Sequence, residues 1–309
     1  MPMATGKIRR LQQCATPDGK LVILAVDHRG NLRRALNRRD PAAVSDEALV
    51  AFKRDVVGAL APTASAVLLD PEYGAEQCIV GGVLPGACGL IVALERSGYG
   101  GDPAGRVSEL LPGWDPYRAV RMGASGVKLL VYYHPEAPTA SVTEDLVRHT
   151  AAMCAEAEVP LFLEPLSYSP NPAQHELTPD ERRHAILETA RRLTAIPGVD
   201  LLKAEFPLDI AAVPDEAEWL AACQDLTKAS RVPWVLLSAG TDFETYLRQV
   251  AAAARAGASG VAVGRAIWQE ATERPLADRI EFLTTTARQR VQRVAVLCQA
   301  LAPSWYSDR

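Results

Sequence analysis

Short, nearly continuous apolar runs alternate with longer stretches of helical spacing along this chain. The runs are LVILAV (21–26), SAVLLD (65–70), LIVAL (90–94), GVKLLVYY (126–133), PLFLEPL (160–166), LLKAEF (201–206), PWVLLSA (233–239) and GVAVG (260–264). Each is strand-length and rich in β-formers. Being apolar at almost every position, they suit parallel strands covered on both faces rather than strands with one wet side. Between them, segments 45–60, 143–157, 178–193, 215–229 and 241–258 carry helical periodicity. Ser45, Thr143, Thr178 and Thr241 read as N-caps followed by acids in the first turn. Eight such βα units predict a single (β/α)8 TIM barrel. Residues 1–20 are expected to form a helical cap across one end, and residues 267–309 the last helix and a C-terminal extension. The Gly- and Pro-rich segment 98–115 is expected to be a long loop after the third strand. With no linker to divide the chain, residues 1–309 read as one domain.

Composition narrows the partners. The chain of 309 residues is 48% hydrophobic with a net charge of -4, so it is globular and has no basic excess with which to track a phosphate backbone. No nucleic-acid partner is expected. No apolar run reaches the roughly 18 residues of a membrane helix, and residues 1–20 hold no signal-peptide core, which predicts a cytoplasmic protein without a membrane partner. The six cysteines show no CxxC pair and are expected to be buried thiols.

In a barrel of this type, chemistry collects at the C-terminal ends of the strands. Those places hold Asp27, His28 and Arg29 after strand one; Asp70, Glu72 and Tyr73 after two; Glu95 and Arg96 after three. They also hold Lys128 in four, Glu164 in five, Lys203 and Glu205 in six, Ser238 and Gly240 after seven, and Gly264 and Arg265 after eight. Lysine is the informative type, because the chain has only six against 27 arginines. Two of the six, Lys128 and Lys203, sit inside apolar strands, where an ammonium is costly to desolvate unless paired or neutral. Period-two alternation puts Lys128, Leu130 and Tyr132 on one face of strand four, and Leu201, Lys203 and Glu205 on one face of strand six. If those faces look inward, both amines enter one pocket. A neutral amine attacks carbonyls to form a Schiff base, which arginine cannot do. The plainer alternative is a structural ion pair between Lys203 and Glu164 or Glu205.

Ser238 to Thr241 and Gly264 to Ala266 are short elements after strands seven and eight, where TIM barrels often bind phosphate. Glycine lets backbone amides approach an oxyanion, helix N-termini add partial positive charge, and Arg265 adds a bidentate cation. The five histidines, His28, His134, His149, His175 and His184, show no metal-ligand spacing, so neither metal nor cofactor is expected. His28 reads as a substrate hydrogen-bond donor, or else as a loop histidine.

The motifs AVDHRG, LDPEYG, LERSGYG, GVKLLVYY, FLEPLSY, LLKAEFP, LSAGTDF and VGRAIWQEA run collinearly through the chain. Together they resemble the class I tagatose 1,6-bisphosphate aldolases and their relatives, the sulfofructosephosphate aldolases. The resemblance implies Lys203 as Schiff-base former, with Glu164, Lys128 and Asp27 completing the catalytic set. It further implies a phosphorylated or sulfonated ketose as substrate, dihydroxyacetone phosphate as product and a homo-oligomer, with a dimer favoured. Arg29 or Arg265 would hold the anions. One departure stands out: that family's first motif usually reads Asp-Gln-Arg, and His28 replaces the Gln. An aldolase for a deoxy-sugar-acid phosphate is thus an alternative, as is a non-catalytic barrel that senses sugar phosphate. An isomerase would need no lysine in strand six.

Overall fold

The computed structural model describes residues 3–174 and 176–306. Eight parallel strands close into a barrel: β1 (Leu21–Ala25), β2 (Ala66–Leu69), β3 (Gly89–Ala93), β4 (Gly126–Tyr132), β5 (Leu161–Leu166), β6 (Val199–Ala204), β7 (Trp234–Leu237) and β8 (Gly260–Val263). Each coincides with one of the eight apolar runs, and β8 pairs back onto β1 with Leu21 opposite Gly260.

The period of two divides each strand between two cores. Outward residues such as Val22, Leu24, Val67 and Leu69 join a large cluster under the helices. Inward residues Leu21, Ile23, Ala66, Leu68, Ile91, Phe162, Leu201, Val235 and Ala262 fill the barrel. The expected cap is present as the helix Thr5–Cys14. Its Leu11 and Cys14, with Trp305 from the other end of the chain, close the interior at the N-terminal ends of the strands. Lys7 on this helix pairs with Asp200 at 2.7 Å. The barrel therefore opens only at its other end, where the polar residues lie.

Helix starts follow capping chemistry. Ser45 accepts from the Ala48 amide to begin Asp46–Leu60, and Thr178 and Glu181 form a reciprocal capping box before Pro179–Leu193. Two expected caps are corrected. Thr143 lies buried inside Ala140–Glu156; that helix begins a turn earlier, after Thr139, whose hydroxyl is bonded to the carbonyl of Arg106. Asp242, not Thr241, caps Phe243–Arg255, its carboxylate being the stronger acceptor.

Segment 98–115 is not wholly loop. It contains an antiparallel ribbon, Gly100–Asp102 against Gly105–Val107, and Asp115 caps the helix Pro116–Arg121. The C-terminal region is broken into Arg265–Trp268, Leu276–Phe282 and Arg288–Leu301. Trp268, Phe282 and Leu283 are buried, whereas Ile280 is exposed. All six cysteines carry free thiols, five of them buried. Among the described residues no helix is long and apolar enough to cross a membrane.

Candidate active site

Strand register assembles the centre. β4 is aligned on β3 with Lys128 opposite Ala93, so Glu95, two residues past the end of β3, reaches Lys128. Between β5 and β6 the register shifts after Leu161, bringing Leu163 opposite Leu202. The next residues, Glu164 and Lys203, consequently meet inside the barrel.

Both lysines are buried there, and their partners differ. Lys128 Nζ lies 2.7 Å from Asp27 Oδ2, 2.7 Å from Glu95 Oε1 and 3.1 Å from Glu164 Oε2. Burial works to lower its pKa, but Asp27, Glu164 and Glu95 override it and hold the amine well above its ordinary value. At neutral pH Lys128 is a cation. Burial would likewise raise the Asp27 carboxyl, yet Lys128 and then Lys203 hold it well below the usual carboxylate range. Lys203 has one ion-pair partner among the described residues, Glu164 Oε1 at 2.7 Å. Of the two carboxylates weighed for it, Glu205 is elsewhere: it accepts from the Ser167 amide and hydroxyl, each at 2.7 Å, and from Arg182 at 3.2 Å.

Glu95 was legible as a polar residue at a strand end, but its role was not. It accepts from Lys128 and from the Leu130 amide at 3.0 Å, and it meets Arg29 at 3.4 Å. Arg29 is buried and committed, with Glu72 at 2.8 Å and the Glu95 carbonyl at 2.7 Å as further acceptors. Its guanidinium props the wall of the site and is not free to receive an anion.

His28 sits in the same wall, its ring edge-on to Trp268 at 5.2 Å between centroids. Burial drives its pKa down to about 3; Asp27 opposes the shift, while Arg265, Lys203 and Lys53 reinforce it. The imidazole stays neutral, like the amide of the glutamine it replaces. Because the unfolded chain takes up the proton below about 6.5 and the folded chain does not, stability is full above that pH and falls as the pH drops toward 3. The slope is about 1.4 kcal/mol per unit. Urea unfolding at pH 7 and pH 5 should therefore show the wild type losing up to about 2 kcal/mol more than His28→Gln. Equal losses would mean that His28 is charged in the folded protein.

On the strand adjacent to that of Lys203, the turn after β7 has Ala239 and Gly240 both at positive φ, 47° and 82°, closed by the Thr241 amide on the Ser238 carbonyl at 2.9 Å. The Ser238 hydroxyl accepts from the Gly264 amide at 3.4 Å. A Cβ on Gly264 would lie 2.8 Å from the Ala25 carbonyl and 3.2 Å from the His28 ring, so only glycine lets β8 turn here. Arg265 stands beside Gly240, whose Cβ would be 3.4 Å from Cζ, and forms no ion pair among the described residues. The expected contribution of helix N-termini is corrected. The helix starting at Arg265 spans a single turn, and Asp242 already occupies the start of Phe243–Arg255. Positive charge at this end rests on the guanidinium.

These groups line one cavity of about 510 Å³ that includes Asp27, His28, Glu95, Lys128, Glu164, Lys203, Ser238, Gly264 and Arg265. Gly240 stands just outside it, behind Arg265. Among the described residues, no group of three or more His, Cys, Asp or Glu is arranged to hold a metal; His175 lies outside the described residues.

Comparison with known proteins identifies the family. Residues 21–270 match the DeoC/LacD family of aldolases. The chain is 30% identical to tagatose 1,6-diphosphate aldolase 2 of Enterococcus faecalis, over 99% of this chain and 98% of that one. It is 28% identical to the tagatose 1,6-diphosphate aldolase of Staphylococcus aureus, over 99% of both. Among solved structures, a Schiff-base-forming fructose-1,6-bisphosphate aldolase superposes with a TM-score of 0.61 at 22% identity, covering 91% of this chain and 98% of the other.

Proposed function

The chain belongs to the DeoC/LacD aldolase family, and on that premise we propose how its site works and on what. It is a carbon–carbon lyase of the Schiff-base class that cleaves a ketose 1,6-bisphosphate, with the tagatose sugar favoured by its relatives' names. 6-Sulfofructose 1-phosphate and a deoxy-sugar-acid phosphate are the alternatives. The observation that carries the reading is the inequality of the two buried lysines. Lys128 is fixed as a cation by three carboxylates, whereas among the described residues Lys203 has a single ion-pair partner, Glu164, through which a proton can pass.

In this reading the neutral amine of Lys203 attacks the C2 ketone of the open-chain sugar. Loss of water leaves an iminium, the electron sink. Glu164 takes the proton of the C4 hydroxyl, the C3–C4 bond breaks, and its electrons flow into the iminium to give an enamine while the aldehyde departs. Glu164 returns the proton to C3, and hydrolysis releases dihydroxyacetone phosphate and the free lysine. Lys128 holds the sugar hydroxyls with its fixed charge, and Asp27 orients them together with neutral His28. Ser238, Gly264 and Arg265 receive the C1 phosphate, with Gly240 shaping the turn beside Arg265. Arg29 acts as a positioning residue for Glu95.

A panel of ketose bisphosphates and 6-sulfonates, with dihydroxyacetone phosphate detected, tests the activity. Turnover of at least one is expected, and turnover of none favours the sensing barrel. Arg265→Ala should weaken C1-phosphorylated substrate by about ten- to a hundredfold, since a charge-assisted contact in a partly dry site is worth about 1.5–3 kcal/mol. Equal losses on phosphorylated and unphosphorylated ketoses would make Arg265 structural. The family resemblance further supports a cytoplasmic homodimer, checked by light scattering.

A further inference from the structure

The catalytic cavity supplies Arg265 for one anion, and the bisphosphate reading needs a receptor for another at the far end. Arg29 is spent on Glu72 and Glu95, Arg96 on Glu109 at 3.2 Å, and Arg34 is an exposed side chain bonded to Asn31. A fourth arginine stands differently. Arg106, on the ribbon after β3, has its guanidinium 4.5 Å from the ring of Tyr99, 5.2 Å from Tyr132 and 4.7 Å from Tyr168. It has no carboxylate partner among the described residues. Among the described residues only its Nε is engaged, donating to the Pro103 carbonyl at 3.2 Å, which leaves the two terminal nitrogens with four N–H groups to offer.

Its position is fixed from several sides. The Arg106 carbonyl accepts from Thr139 Oγ1 at 3.1 Å, the same hydroxyl lies 3.3 Å from Tyr168 Oη, and Tyr99 packs edge-on to Tyr132 at 4.9 Å. Stacked rings hold a guanidinium plane by its faces and leave its edge free for a bidentate acceptor. Arg106 lines a second cavity of about 470 Å³, which shares Ser167, Leu237, Ser238 and Ala239 with the catalytic one. The remaining charges there are Arg182, paired with Glu205, and the exposed carboxylates Glu176 and Asp209. Tyr132 lines the catalytic cavity and holds the Arg106 guanidinium 5.2 Å from its ring centroid. In the closed order of eight strands β4, which carries Tyr132, lies directly across from β8, which Arg265 follows.

We infer that Arg106 is the receptor for the terminal tetrahedral anion of the substrate, the phosphate or sulfonate that leaves on the three-carbon aldehyde. This rests on the aldolase reading above. The substrate then spans the mouth from Arg265 to Arg106, with Lys203 and Glu164 beneath its middle. The specificity for a doubly anionic ketose lies in a ribbon, not in the strand-one motif.

The test uses the condensation direction, with dihydroxyacetone phosphate and either glyceraldehyde 3-phosphate, 3-sulfolactaldehyde or uncharged glyceraldehyde. The wild type should prefer one of the two anionic aldehydes over glyceraldehyde. In R106M, which keeps an unbranched chain among the rings but loses the charge, that preference in kcat/KM should fall about ten- to a hundredfold, mostly through KM. R106K should recover part of it, having a cation but no fork. An unchanged preference in R106M overturns the assignment. So does an equal loss on charged and uncharged aldehydes in R106M and R106K alike, which would make Arg106 a support for the ribbon. A wild type that condenses none of the aldehydes contradicts the aldolase reading itself, whereas normal wild-type condensation with an unaltered R106M contradicts this inference alone.

Discussion

Lys203→Arg is expected to abolish turnover, lowering kcat by roughly 10⁴- to 10⁶-fold, the scale seen when a covalent nucleophile is removed. Arginine keeps a positive charge and can still pair with Glu164, so the electrostatics of the pocket change little. What is lost is an amine that can give up its proton and add to a ketone. The side chain is 6% exposed, and fitting a longer one costs on the order of 1–3 kcal/mol of stability. A melting curve alongside the assay therefore separates loss of chemistry from loss of fold. Residual activity within tenfold of wild type would show that the amine is not the nucleophile.

Glu164→Gln should lower kcat by about 10²- to 10⁴-fold, the usual range for removing a general acid–base. The amide oxygen can still accept from Lys203 in place of the present 2.7 Å contact, and Lys128 retains Asp27 and Glu95. Iminium formation should thus survive while cleavage and reprotonation stall. The variant ought to accumulate a covalent complex with ketose bisphosphate that borohydride reduces in high yield while little aldehyde is released. Undiminished cleavage would move the proton transfer to another group, of which Asp27, held ionised beside Lys128, is a candidate.

Much of this was open to reading before any coordinates. The eight strands announce themselves because a strand buried on both faces must be apolar at nearly every position, and a polar residue inside such a run is conspicuous. Lys128 and Lys203 stood out for that reason, and the two-residue period set them on one face. The sequence does not reveal pairings that join distant segments. Glu95 is central only because β3, β4 and the loop after β1 converge on it, and Arg29 resembles an anion receptor until Glu72 and Glu95 are seen to occupy it. The ribbon at Gly100–Val107 escaped notice because three-residue strands rich in glycine carry no hydrophobic period. Arg106 escaped with it, its three tyrosines coming from positions 99, 132 and 168. Thr143 misled as a cap because the true start, Thr139, is fixed by a bond to that same ribbon.

The central claim is that Lys203, and not Lys128, forms the Schiff base. Incubating the protein with dihydroxyacetone phosphate and borohydride, digesting it and sequencing the modified peptide by mass spectrometry tests this most directly. One reduced adduct is expected per chain, on the lysine of the LLKAEF segment, with the Lys128 peptide unmodified. An adduct on Lys128, or none at all with substrate in excess, would contradict the account.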